Sequence, residues 1–148
     1  MRILFLLSLL LIASFLFSET QPVVGICIIK DLKTPYKKSI IDSLKSRFPQ
    51  VQFKQIPAKE LFKAKKEDYQ AVIVMDRLEA WTMFNRTLKK LSHRLNPAHT
   101  IYFITAGDPE WQWKKRGIIT VTSASKKEQV SGVVNKISKE LQLILSKK

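Results

Sequence analysis

Runs of apolar residues divide this chain by their period. Val23 to Lys30, VVGICIIK, is β-branched and continuously apolar, too short for a helix and too unbroken for a half-exposed strand, so it predicts a buried parallel strand. Ala71 to Met75, AVIVM, and Thr100 to Thr105, TIYFIT, predict two more buried strands, and Ile118 to Thr122 predicts a fifth. Val51 to Ile56, VQFKQI, alternates apolar and polar positions, which places it at a sheet edge with one face in water.

The segments between these strands carry helical periods. Thr34-Pro35 marks a helix start, with Thr as the cap and Pro at the first helical position, where an absent amide hydrogen costs nothing. Tyr36, Ile40, Ile41, Leu44 and Phe48 form its apolar face, opposite Lys37, Lys38, Asp42 and Lys45, and Pro49 ends it. A short basic helix is predicted over residues 58–66. Trp81, Phe84, Leu88, Leu91 and Leu95 recur at intervals of three and four, predicting a long amphipathic helix closed before Pro97. Ser125 and Glu128 have the spacing of a capping box for a last helix, whose buried stripe is Val130, Val133, Val134, Ile137, Leu141 and Ile144. Gly132, unfavourable inside a helix, predicts close packing there.

Five strands alternating with helices predict an α/β fold: one three-layer domain over residues 22–148, with a parallel five-stranded sheet in the flavodoxin-like, Rossmann-like order 2-1-3-4-5. Ahead of it, Arg2 precedes an apolar stretch from Ile3 to Phe17 broken only by Ser8 and Ser14. That run is shorter than the roughly 20 residues of a spanning helix and fits a signal peptide, residues 1–18, with an uncleaved anchor as the alternative. The expected location is therefore periplasmic or secreted. No Cys lies at the exit of the run to take a lipid, and Cys27, the one Cys of the chain, forms no internal disulfide and reads as a small buried hydrophobe.

Charge narrows the partners. Of 26 Lys and Arg only Arg2 lies in the signal segment, so the mature domain sets 25 basic against 12 acidic side chains. The excess is scattered in pairs and triplets, which reads as solvated helix faces. Such a field attracts anionic lipid or wall polymer. Nucleic acid is not an expected partner, because no aromatic-basic motif for it occurs. No cofactor or metal is expected either: His93 and His99 have no ligand at metal spacing, and four glycines form no phosphate-cradling loop.

In sheets of this order ligands bind beyond the carboxyl ends of the strands, near the point where the strand order reverses. That rule selects Lys30, Asp31 and Lys33 after strand one, Asp76 and Arg77 after strand three, Thr105, Gly107 and Asp108 after strand four, and Thr122, Ser123 and Ser125 after strand five. Asp31 and Asp76 can share a cation or a proton if both face the crevice, and each also suits a turn or cap. Trp111 and Trp113, followed by Lys114, Lys115 and Arg116, present aromatic faces beside positive charge for a sugar, a lipid interface or a protein, or fold back over the sheet edge.

Three segments together resemble the amino-terminal lobe of a periplasmic ABC-transporter solute-binding protein family: VVGICIIKDLKTPYKKSIIDSLK its opening strand, loop and helix, AVIVMDRLEAW its central strand and turn, and IYFITAGDPEWQWKKRGIITVTSASKKEQV the strand ending in Asp-Pro together with the next strand and helix. The resemblance spans most of residues 23–145, with Asp76 standing where that family commonly has Gly. Such proteins close two lobes around a solute. This chain carries the equivalent of one, so the resemblance implies a homodimer that rebuilds a cleft, or a lobe docking on a transporter or another envelope protein. The expected function is a non-enzymatic exported binding or interaction domain. The alternatives are an envelope hydrolase or transferase using Asp76, Asp31 or Asp108, and a basic adhesion protein working through Trp111, Trp113 and their cationic neighbours.

Overall fold

The computed structural model describes residues 20–29, 34–65, 67–78, 86–108, 110–113 and 116–147. Its strands are β1 (Val23–Ile28), β2 (Gln52–Gln55), β3 (Ala71–Arg77), β4 (Thr100–Thr105) and β5 (Ile119–Ser123). All pair in parallel, in the order β2-β1-β3-β4-β5. This is the flavodoxin-like order, with the alternating strand β2 at one edge and the apolar β3 at the centre. The helices are α1 (Pro35–Arg47), α2 (Ala58–Leu61), α3 (Arg86–Arg94) and α4 (Val130–Leu145).

Alternation along each strand divides the core between two faces. Val24, Ile26, Ala71, Ile73, Met75, Ile101, Phe103 and Val121 meet Tyr36, Ile40 and Leu44 of α1 and Val133, Val134, Ile137 and Leu141 of α4. Cys27, Val72, Val74, Tyr102 and Ile104 meet Leu61 of α2 and Leu88 and Leu91 of α3 on the other side. Outside the first core, Arg47 Nη1 donates to Asn135 Oδ1 at 2.7 Å and to Ser138 Oγ at 3.3 Å, fastening α1 to α4.

Local chemistry explains most boundaries. Thr34 caps α1 by accepting from the Lys37 N–H at 3.3 Å, Pro35 occupies the first turn, and the helix stops at Arg47, two residues before Pro49. Gly25 sits in a crowded place: a Cβ there would lie 2.5 Å from Ile56 Cδ1 and 3.3 Å from Tyr69 Cδ1, so the Ile56 side chain would have to shift. Gly117 turns the chain into β5 at φ 77°.

Several expectations are corrected. The basic helix after β2 ends at Leu61 rather than continuing to residue 66, and the fifth strand is displaced by one residue to Ile119–Ser123. Helix α3 is described only from Arg86, so Trp81 and Phe84 lie outside the described residues. The Ser125–Glu128 capping box does not form: the Lys126 N–H returns to the Ala124 carbonyl at 2.8 Å, a 3-10 turn occupies Lys127–Gln129, and α4 starts at Val130 without a side-chain cap. Gly132 is exposed, and a Cβ there would meet nothing within 4 Å, so close packing is not its role. Lys37 is not on the solvent face; it is buried at 2% exposure. Its spacing explains this, because Lys37, Ile40, Leu44 and Phe48 succeed one another at three and four residues along a single stripe.

Candidate functional site at the carboxyl ends of the strands

Parallel pairing sets Arg77, Thr105 and Ser123 abreast in the last rung of β3, β4 and β5. One residue earlier stand Asp76, Ile104 and Thr122, directed to the opposite face. Met75, Phe103 and Val121 are the last apolar residues on one face of the sheet, and the next residues on that face, Arg77, Thr105 and Ser123, are polar. Asp76, Thr105 and Ser123 are buried all the same, together with Lys37.

On the α1 side the Tyr36 ring lies 6.3 Å from the Phe103 ring and its hydroxyl reaches Ser123 Oγ at 2.9 Å. Ser123 has one hydroxyl proton, directed to Gln129 Oε1 at 2.6 Å and the Ala124 carbonyl at 2.8 Å. Tyr36 therefore donates and Ser123 accepts. The network locks α1, β5 and the turn before α4 together. Burial raises the Tyr36 hydroxyl above its ordinary range, and the Ser123 contact acts against that. Thr105 Oγ1 donates to the Asp76 carbonyl at 3.4 Å, and the Leu78 N–H donates to the Thr105 carbonyl at 2.8 Å.

The ionisable groups at this end act on one another. Burial lowers the Lys37 ammonium below its ordinary value; the Asp76 carboxylate opposes that, and Arg77 reinforces it. Lys37 Nζ is enclosed and makes no hydrogen bond among the described residues. Burial, with Asp76 adding to it, pushes the Cys27 thiol up to about 11, so Cys27 is protonated near neutrality and is no thiolate nucleophile.

Beyond the last rung lies a cleft of about 520 Å³ lined by Arg77, Leu78, Thr105, Ala106, Gly107, Ala124, Ser125 and Lys126. Four residues selected from the sequence, Arg77, Thr105, Gly107 and Ser125, meet there; Asp76 and Ser123 are buried beside it. Asp108 is not in its lining: its Oδ1 accepts from the Glu110 N–H at 2.9 Å, the task of a turn residue. Lys30, Asp31 and Lys33 lie outside the described residues, as do Lys114 and Lys115, so the pairing of Asp31 with Asp76 is not described.

Trp113 is half-buried with its ring edge-on to Tyr102, centroids 5.5 Å apart, and Trp111 packs against the same cluster, whereas Arg116 is exposed. His93 is exposed, and His99 Nδ1 is 3.1 Å from the Gln70 carbonyl. Among the described residues no group of three His, Cys, Asp or Glu is placed to hold a metal ion, and no helix is long and apolar enough to cross a membrane. A second cleft of about 370 Å³, lined by Leu61, Tyr69, Arg94, His99 and Thr100 among others, lies at the amino ends of the strands. Its buried polar lining residue, Thr100, donates its hydroxyl to the Asn96 carbonyl at 2.7 Å.

Sequence reasoning missed Lys37, Tyr36, Gln129 and Lys126. For Lys37 and Tyr36 the signal was present, since both stand in the first turn of the helix that leaves β1 at the carboxyl end. Gln129 carried no signal, because its role depends on the turn that replaced the capping box.

No family model and no curated protein matches the chain. Among solved structures it is similar to the lysine decarboxylase LdcF of Francisella novicida, with TM-score 0.55 and 12% identity over 86% of this chain and 18% of that one. It is also similar to the constitutive lysine decarboxylase of E. coli, with TM-score 0.51 and 14% identity over 84% of this chain and 18% of that one. An oxidoreductase from Corynebacterium diphtheriae has TM-score 0.51 and 13% identity, over 87% of this chain and 100% of that one. At these identities the likeness shows the fold alone. The chain spans under a fifth of the length of the two decarboxylases.

Proposed function

We propose that this protein is an exported binding domain that performs no chemistry of its own and holds a small solute in the cleft at the carboxyl ends of β3, β4 and β5. The observation that carries this reading is the convergence of Arg77, Thr105, Gly107 and Ser125 on one cleft of small-molecule size, at the place where the strand order favours a ligand. A protonated Cys27 and a turn-bound Asp108 leave Asp76 as the one described residue offered to the hydrolase or transferase alternative. The adhesion alternative draws less support, because Trp113 spends its ring on Tyr102. Arg2 and the apolar run to Phe17 support export, and the resemblance to one lobe of a solute-binding protein supports a transporter or envelope partner, or a homodimer.

Thermal denaturation against a panel of small solutes tests the cleft. At least one solute is expected to raise the midpoint, and Arg77→Ala is expected to weaken that solute about tenfold, measured against the variant's own solute-free midpoint. A silent panel, or a stabilising solute indifferent to Arg77, overturns the reading. Mass spectrometry of the protein recovered from the cell envelope is expected to show an amino terminus at Glu19; intact protein confined to the cytosol would refute export.

A further inference from the structure

We infer that Lys37 is an anion seat, whose ammonium binds the carboxylate or phosphate group of a small ligand entering the cleft beside Arg77. This rests on the binding reading above and names the chemistry the same site selects.

Three observations carry it. Lys37 is 2% exposed, and its Nζ, with three donors to satisfy, makes no hydrogen bond among the described residues. An enclosed amine in that state is costly whether charged or neutral, and its stripe, shared with Ile40 and Leu44, asks for an apolar residue. A buried amine where the pattern asks for carbon, attracted by Asp76 but hydrogen-bonded to nothing among the described residues, points to a partner that arrives from outside.

The surroundings leave a place for negative charge. Among the described residues Asp76 and Arg77, both on β3, act on Lys37 with opposite signs, and Tyr36 beside it on α1 is committed to Ser123. The adjoining cleft adds Arg77 and Lys126 to its lining and no carboxylate among the described residues. Among the described residues, Lys37, Arg77 and Lys126 bring positive charge to this end and Asp76 is the buried carboxylate. The backbone adds little, because Pro35 has no N–H and the Lys37 N–H is taken by Thr34. Recognition falls to side chains: Arg77 lines the cleft, and Lys37, outside that lining, is coupled to it electrostatically through Arg77.

The Lys37 amine itself is the readout of the test. Its 13Cε resonance, assigned by its loss in Lys37→Met, is titrated by NMR in the full mature domain alone and with benzoate, inorganic phosphate or neutral benzamide. The amine is expected to titrate below an exposed lysine when the site is empty, and to move up by about one unit with an anion, equivalent to tenfold coupling, but not with benzamide. A shift with benzoate alone identifies a carboxylate ligand; a shift with phosphate alone identifies a phosphate. If Arg77 and Gly107 signals respond to either anion while Lys37 does not, the cleft reading stands and the anion seat is refuted. If no signal at this end responds and the solute panel is also silent, both fall. In a second measurement, Lys37→Met is expected to melt higher than the wild type while losing anion-induced stabilisation, since it removes an unpaired buried amine. A variant that melts lower yet keeps the anion response also overturns the inference.

Discussion

The middle of this sheet and its last rung are built from the same strands and obey different rules. Ile26, Ile73, Ile101 and Phe103 bury only carbon and pack between α1 and α4, so their placement is explained by what they remove from water. Two residues further along, Thr105 and Ser123 are buried with polar atoms that must be matched one by one, and Lys37 on the covering helix is not matched within the described residues. Interior that is satisfied within itself holds the fold. The middle is not matched throughout, since the buried Tyr102 hydroxyl also lacks a hydrogen bond among the described residues; what sets the last rung apart is a buried ionisable amine at the end of the sheet that carries the cleft.

The largest expected effect lies in the middle. Phe103→Ala should cost about 3–5 kcal/mol in urea unfolding, because it opens a void under Tyr36 and between two helices; a loss below about 1 kcal/mol would mean that the middle is no more tightly specified than the rim. Next comes alkaline pH. The Cys27 thiol rises from 9.0 to about 11 in the folded chain, so the folded state holds its proton more tightly than the unfolded state. Its contribution is complete below pH 9 and is lost as pH rises toward 11, up to about 2 kcal/mol. Urea midpoints at about pH 8 and about pH 10.5, values on either side of the ordinary thiol range, should fall apart more in the wild type than in Cys27→Ala, and equal slopes would break the argument.

Smaller still, Ser123→Ala should cost about 1 kcal/mol by leaving the Tyr36 hydroxyl without its acceptor, with Tyr36→Phe on that background nearly neutral. Additive losses in the double variant would show that the two hydroxyls do not act as a unit. Finally, Gly132→Ala, exposed and unobstructed, should stabilise α4 by about 0.5–1 kcal/mol. Destabilisation there would restore a packing role to that glycine.

The sheet was legible in the sequence because its signal is repetitive: VVGICI, AVIVM and TIYFIT each repeat one message over several residues, and Val51 to Ile56 states its edge position by alternation. The cleft was partly legible, since position at a strand end is enough to select Arg77, Thr105, Gly107 and Ser125. What escaped depended on single atoms. Ser125 and Glu128 match a cap in spacing, but the return of the Lys126 N–H to Ala124 displaced the helix start, and Gln129 became the partner of Ser123 instead. Lys37 escaped because a positive charge points to solvent when polarity alone is read, while the stripe that its neighbours at three and seven residues define points inward.

The opening turn of α1 has an evolutionary corollary. Where backbone amides grip a ligand, changing the preference means rebuilding a loop, with every dihedral in it. Here Pro35 has no N–H and Thr34 takes the Lys37 N–H, so on the proposed binding reading discrimination would fall mainly to individual side chains. On the binding reading proposed above, one codon at Lys37 or Arg77 would be enough to retarget the scaffold without altering its skeleton.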